Sequence, residues 1–313
     1  GTGGLHKTGA GTWTLTGTGV TNTGALSITV GPFTFTGGAF GTPSGTTLGG
    51  GTLGLTSGIQ SLGNLTILAS SVNNLIVAAG ATLATGSTFT RSAGGTVTID
   101  LSGAGSSVTT TAADGVLGFA SVYDGVSTGM AQISGGSIIR LDTTTSGPTT
   151  TLDAFSDSAT TDFSTFATTY SNGTSGLLSW PGGGLTSRSV NSLSVDTTAD
   201  TGPVTINLGA VTNVLTLTSN AVQFLGPQNA TLAGGQLGAH NSDVIVPQNG
   251  SGEFIISSLI SSGTCSLTKM GAGSVTLAPV IKLTGTTNGT TTISGLSSTA
   301  SLAVGQAVTG VGI

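Results

Sequence analysis

Short runs of alternating apolar and polar residues recur along the chain, with glycine-rich corners between them. Leu26-Ser27-Ile28-Thr29-Val30 alternates until Pro32 breaks it, and Phe33-Thr34-Phe35-Thr36 follows. Residues 37–51 read as a loop. Leu53-Gly54-Leu55, Leu65-Thr66-Ile67, Leu75-Ile76-Val77 and Ala81-Thr82-Leu83 come next, then Val97-Thr98-Ile99-Asp100-Leu101 and Val108. A period of two sends neighbouring side chains to opposite sides of an extended backbone, so each run predicts a strand with one buried face. The 3.6-residue pattern of a packed helix is nearly absent, which excludes alternating strand–helix folds. Short strands spaced by about ten residues predict a β-solenoid, a sandwich or a barrel. Runs such as Leu-Thr-Ile carry threonine outward. Rungs about 4.8 Å apart would align such positions into ladders, which favours an all-β parallel solenoid.

The rhythm breaks over residues 114–184. Asp114, Asp124, Asp142, Asp153, Asp157 and Asp162 fall here, more than half of the chain's 11 acidic residues. Phe119, Tyr123, Phe155, Phe163, Phe166, Tyr170 and Trp180 make this stretch the most aromatic as well. It is expected to be an irregular excursion on the solenoid flank, with Ala154–Tyr170 as a short helix or ordered loop. Regular strands resume at Ser189-Val190-Asn191-Ser192-Leu193-Ser194-Val195 and continue through Val204-Thr205-Ile206-Asn207-Leu208. There the period places Ile206 inward and Thr205 on the opposite face. Val214–Leu217, Ala221–Phe224, Thr231-Leu232, Asp243–Val246 and Glu253–Ile256 follow. After Lys282 the texture changes to a stretch similar to a small β module of bacterial and phage surface proteins. The expected organisation is solenoid over 1–113, excursion over 114–184, solenoid over 185–280 and the start of the small module over 281–313.

One phrase occurs twice. Lys7-Thr8-Gly9-Ala10-Gly11-Thr12-Trp13-Thr14-Leu15 returns as Lys269-Met270-Gly271-Ala272-Gly273-Ser274-Val275-Thr276-Leu277. A leucine, Leu5 or Leu267, stands two residues before each lysine. Glycine supplies the backbone freedom of a tight corner, and the alternation after it is that of a strand. The phrase resembles the autotransporter-associated β-strand repeat (passenger-associated transport repeat), specifically over residues 5–17 and 253–277. That resemblance implies a right-handed parallel β-helix in an exported, non-catalytic bacterial surface protein: an adhesin or structural passenger, cell-surface or extracellular. It names no ligand.

Composition narrows the classes further. With 54 glycines in 313 residues and only 5% charged, the chain still has a mean hydropathy of +0.37. Disordered segments are poor in apolar residues and rich in charge, so this chain is expected to fold. No stretch is long and apolar enough for a membrane-spanning helix. The net charge is −5, and the cations are Lys7, Arg91, Arg140, Arg188, Lys269 and Lys282. They form no basic run, so a nucleic-acid partner is not expected. Cys265 is the single cysteine, read as a small buried hydrophobe, with a bridge between chains as the alternative. The chain is expected to be a fragment of something longer.

Candidate chemistry is sparse. His6 and His240 are the only histidines, and a metal cluster or Ser-His-Asp triad would need one of them. No Gly-x-Ser-x-Gly nucleophile elbow is expected. Gly49-Gly50-Gly51-Thr52-Leu53-Gly54 matches a dinucleotide-binding spacing but lacks the following helix and acidic partner. Asp153, Asp157 and Asp162 could converge as paired carboxylates for glycan cleavage, or around calcium. Yet the region has almost no Arg or Lys to bind sugar, and the calcium-loop spacing is missing. The expectation is therefore a non-enzymatic protein with no catalytic, cofactor or metal site. Its expected partners are other copies of itself end to end, and cell-surface glycans. The alternatives are an ice-binding solenoid, suggested by Thr-x-Thr runs such as Thr34-Phe35-Thr36 and Thr96-Val97-Thr98, and a glycan-active enzyme.

Overall fold

The computed structural model describes residues 1–17, 22–141, 163–170, 176–179, 187–198, 200–239, 243–260, 266–278, 286–287 and 293–294. Among these there is no helix, and mostly parallel strands form a β-solenoid of about nine turns. The first part has three faces. Leu5–Lys7, Leu26–Ile28, Thr46–Leu48, Leu65–Ile67 and Phe89–Arg91 stack in parallel as the first. Trp13–Leu15, Gly31–Thr36, Gly51–Ser57, Val72–Val77, Thr96–Asp100 and Gly115–Tyr123 form the second. Ile59–Ser61, Thr82–Thr85 and Ser107–Thr110 form the third.

Register explains the stability of this stack. Phe33, Leu53, Leu75, Ile99 and Val122 are successive partners on the second face, all buried, and Trp13 heads their column. Each rung thus covers the apolar residue of the previous one, while the backbone ladders satisfy the strand N–H and C=O groups. Phe33, Phe35 and Phe40 fill the wide first turns, with ring centroids 4.9–6.2 Å apart.

The stack ends in an antiparallel closure. Thr128–Ser134 pairs with Gly115–Tyr123, then with Ser137–Arg140, which pairs in turn with Ser107–Thr110. Gly135 and Gly136 both have positive φ, the hairpin turn geometry that matches strand twist. The hairpin joins the second face to the third and leaves no open edge there.

The second part repeats the architecture. Phe163–Tyr170, Ser187–Asp196, Val214–Leu217, Gln236–Ala239 and Leu259–Ile260 form one face. Gly176–Ser179, Val204–Asn207, Ala230–Ala233, Phe254–Ile256 and Val275–Leu277 form another. The far half of Ser187–Asp196 continues into a third face with Val222–Leu225, Asp243–Pro247 and Ser266–Met270. Ile206, Leu232 and Ile256 make a buried column, and Phe224 stacks on Phe254 at 5.4 Å. Ile206 faces inward and Thr205 outward, as the alternation predicts.

The two parts have separate cores and lie side by side. Met130, Leu141 and Ala221 pack at the junction with Val116. The second solenoid runs back along the first. On Val222–Leu225, Gln223 accepts from the backbone N–H of Met130 in the closing hairpin, while Asp243, one rung later, meets Arg91, which lies further back. Asp243–Pro247 is buried at every position, because one side faces its own core and the other faces the neighbour.

Three expectations change. The tract 37–51, expected as a loop, carries the first-face strand Thr46–Leu48, set by parallel pairing with its neighbours on both sides. The excursion expected over 114–184 is not irregular at its start: Gly115–Tyr123, Thr128–Ser134 and Ser137–Arg140 are ladder strands. Phe163–Tyr170, within the stretch expected as a short helix or ordered loop, is also a strand. Parallel pairing with Ser187–Asp196 decides its backbone, overriding the local composition. Within 281–313, Thr286–Thr287 pairs antiparallel with Ile293–Ser294; the rest of that module lies outside the described residues.

Candidate functional site

The repeated phrase takes the same local form twice. Lys7 Nζ donates to the carbonyl of Gly9 at 2.5 Å, and Lys269 Nζ to that of Gly271 at 2.7 Å. Gly9 and Gly271 both have positive φ, the conformation that glycine adopts without a Cβ clash. Lys7 is fully buried, and a second bond, to the Val30 carbonyl at 2.9 Å, ties its corner to the next rung. Its ammonium also lies 5.9 Å from the Trp13 ring centroid, within cation–π range. Lys269 is exposed. The lysine is thus a structural clamp on a turn.

The junction holds a buried ion pair. Arg91 donates from Nη1 to Asp243 Oδ1 at 2.7 Å and from Nη2 to Oδ2 at 2.5 Å. Thr268 Oγ1 and the Gly94 N–H also donate to Oδ2, at 2.7 and 3.3 Å. Burial pushes the Asp243 carboxyl up, but the Arg91 and Thr268 hydrogen bonds, the Arg91 charge and the Gly94 N–H outweigh it. The carboxyl is held below its ordinary value. Close approach elsewhere along the junction requires a small residue. A Cβ at Gly118 would fall 2.5 Å from the Ser219 carbonyl oxygen.

Beside this junction a groove of about 600 Å³ opens between the solenoids. Its walls are Thr98, Ser121, Val126, Ser127, Thr128 and Arg140 on one side, and Asp196, Thr198, Leu225, Gly226, Asn249, Gly271 and Ala272 on the other. Ser121 is only 3% exposed, and its hydroxyl has no hydrogen-bond partner in the protein. Asn249 Nδ2 is buried without a partner as well. Arg140 Nε donates to Asp124 Oδ2 at 2.7 Å. Burial raises the Asp124 carboxyl, yet the Ser127 N–H, the Arg140 guanidinium and the Val126 N–H bring it down to about 2. This salt bridge therefore persists through mildly acidic conditions.

The candidates read from sequence fall elsewhere. His6 is exposed on an outward column with Ser27, Thr47, Thr66 and Thr90. Gly49–Gly54 runs into the strand Gly51–Ser57 with no helix behind it. Asp153, Asp157, Asp162, His240 and Cys265 lie outside the described residues. Among the described residues no three His, Cys, Asp or Glu side chains converge as metal ligands. One expectation needs correction, because Gly125-Val126-Ser127-Thr128-Gly129 does have the Gly-x-Ser-x-Gly spacing. It spans the connection between two antiparallel strands rather than a strand-to-helix turn, and the Ser127 N–H donates to Asp124. Among the described residues Thr47, Thr66 and Thr90 follow one another in the outward column of the first face, whereas the second face breaks its threonine row. Thr14 and Thr34 meet hydroxyl to hydroxyl at 3.2 Å, but Gly54 and Ile76 continue their column.

The groove and the Arg91–Asp243 pair were not legible in the sequence, since their partners come from distant rungs of two different stacks. No family model, curated protein or solved structure matches the chain.

Proposed function

We propose that this chain is a non-catalytic architectural segment of an exported bacterial surface protein, extended by rungs that stack on its open faces. The carrying observation is the state of the extreme rungs. Trp13 heads the buried column of the second face yet is 45% exposed, and Leu277 ends the Ile206–Leu232–Ile256 column at 50% exposed. The strands that carry them, Trp13–Leu15 and Val275–Leu277, each have one ladder partner among the described residues. An unpaired strand edge beside an uncovered apolar column templates further pairing. Both strands follow the Lys-x-Gly-x-Gly phrase, the feature that resembles the autotransporter-associated repeat. The side-to-side face also runs on: Val72 and Ile76, next in register to Thr96 and Asp100, are 70% and 44% exposed. Because the second solenoid runs back along the first, both uncovered rungs face the same way, so the stacking partner is further solenoid of the same polypeptide or a second copy meeting this one end to end as a closed pair. Low charge opposes neither arrangement.

Sedimentation velocity tests this on the protein and on Trp13→Asp and Leu277→Asp variants. Concentration-dependent elongated species are expected, reduced in both variants. Antibody labelling of intact cells is expected at the surface. Monomers indifferent to both substitutions, together with a cytoplasmic location, would reject the reading.

A further inference from the structure

Resting on the stacking proposed above, we infer that two copies of this chain join as a closed pair, the corner 269–277 of each seated on the corner 7–15 of the other. The two copies of the phrase display the two halves of that contact. Inside the chain, a corner lies on the one before it too closely for a Cβ. A Cβ on Gly31 would fall 2.7 Å from the Gly9 carbonyl oxygen, and one on Gly273 would fall 2.5 Å from that of Gly250. Gly11, the counterpart of Gly273, has none of the described residues within 4 Å of its Cβ position, and its φ is not positive. Glycine there answers no contact within the chain but leaves room for a preceding corner. The lysines display the other half. Lys7 is buried and donates to Val30, the next-rung counterpart of Gly9, because Lys7 pairs with Ile28. Lys269 ends a column in which Leu193, Val222 and Val246 are all buried, and it bonds to Gly271 with no next-rung acceptor among the described residues. The Gly9 carbonyl of a second copy supplies that acceptor, since its two lone pairs can serve Lys7 and Lys269 together.

Shape and charge make a second copy the occupant. Asp243 meets Arg91, so the last rung of the second solenoid, one later and running back, comes level with the rung of Leu65–Ile67 and Val72–Val77. The rungs that start at Leu5–Lys7, Leu26–Ile28 and Thr46–Leu48 project past it as a step. A two-fold rotation interlocks two such steps. The projecting rungs of each copy then continue the second solenoid of the other in the same chain direction, and both open ends are covered at once. Phrase on phrase, Leu277 meets Leu15 and Val275 meets Trp13, which joins the apolar columns. The projecting rungs also suit burial. Lys7, itself buried, is the only Lys, Arg, Asp or Glu in residues 1–90. Protein interfaces are depleted of charge at their centres in the same way.

Sedimentation equilibrium of the full chain over a concentration series tests the pair. A monomer–dimer equilibrium that stops at two copies is expected. Gly11→Leu adds a side chain where the single copy has open space, so its thermal midpoint should match the parent's at concentrations where both are monomeric. Its dimer dissociation constant should nevertheless rise by about tenfold or more. Lys269→Met should raise that constant about tenfold, through one charge-assisted bond lost at each of two contacts. The pair sets the ammoniums of Lys7 and Lys269 one rung apart with no carboxylate nearby, so association should tighten as salt rises. A parent that stays monomeric, or one that grows without limit past two copies, would overturn the closed pair. Full association in Gly11→Leu, or association that weakens with salt, would overturn the phrase as its contact. Trp13→Asp separates the two readings. If it abolishes association while Gly11→Leu does not, stacking on the open rungs stands and the seating of corner on corner falls.

Discussion

Replacing Arg91 by methionine probes the side-by-side packing at its most heavily bonded contact. The Asp243 side chain has no exposed surface, and its two oxygens receive four donors. Two of these come from the guanidinium, one from the Thr268 hydroxyl in the neighbouring rung and one from the Gly94 N–H across the junction. Methionine keeps most of the arginine stem but removes three charge-assisted bonds, two to Asp243 and one from Nε to the Gly95 carbonyl at 2.8 Å, together with the compensating charge. A carboxylate left buried in this way costs about 3–5 kcal/mol, whereas losing a surface pair costs about 0–1 kcal/mol. Urea unfolding separates these cases, because the difference exceeds the error of the extrapolation. The double replacement Arg91→Met with Asp243→Leu removes both charges and should recover most of the loss. Thr268→Val alone removes one bond to a charged group, about 1.5–3 kcal/mol. A loss below about 1 kcal/mol in Arg91→Met, or a double variant no better than the single one, would refute a pair sealed between two solenoids.

Three further outcomes follow from the same packing. Ile206→Asp places an unpaired charge in the core and should cost several kcal/mol, whereas Thr205→Ser on the outward face should cost under about 0.5 kcal/mol; equal losses in thermal or urea unfolding would show the faces reversed. Lys7→Met removes the buried ammonium from the Gly9 and Val30 carbonyls and should cost about 1.5–3 kcal/mol, while Lys269→Met at the exposed copy should stay within about 0.5 kcal/mol, so matching losses would contradict the clamp. Asp124 and Asp243 are both held below the ordinary carboxyl value of 3.8, so unfolding takes up protons in acid. Their contribution to stability is complete above that value and is lost as pH falls through the folded values, that of Asp124 near 2. The thermal midpoint should therefore drop as pH is lowered from about 4 to 2, and a rise over that window would contradict the bonding described.

The stacked strands were legible because a buried row needs one apolar residue at every second position, as in Leu65-Thr66-Ile67 or Val204-Thr205-Ile206. The doubling back was not. Its contact surface is built from Gly118, Ser121, Ser192, Ser194, Ala221 and Gln223, small or polar residues that read as a solvated outer face. The one available hint was Val244-Ile245-Val246, where three apolar residues in succession mark a strand covered on both sides. The closing hairpin was obscured for another reason. Ser134-Gly135-Gly136-Ser137 carries an ordinary turn signal, but the acidic and aromatic residues around it suggested an irregular segment. Arg91 and Asp243 lie 152 positions apart with nothing local to join them.

As part of a stacked, extended body, this chain should give a distinctive image in electron microscopy of material released from the cell surface. Elongated particles or fibres are expected, with an axial strand spacing of about 4.8 Å and two stacks side by side across their width. Compact isolated particles without an axial repeat would contradict it.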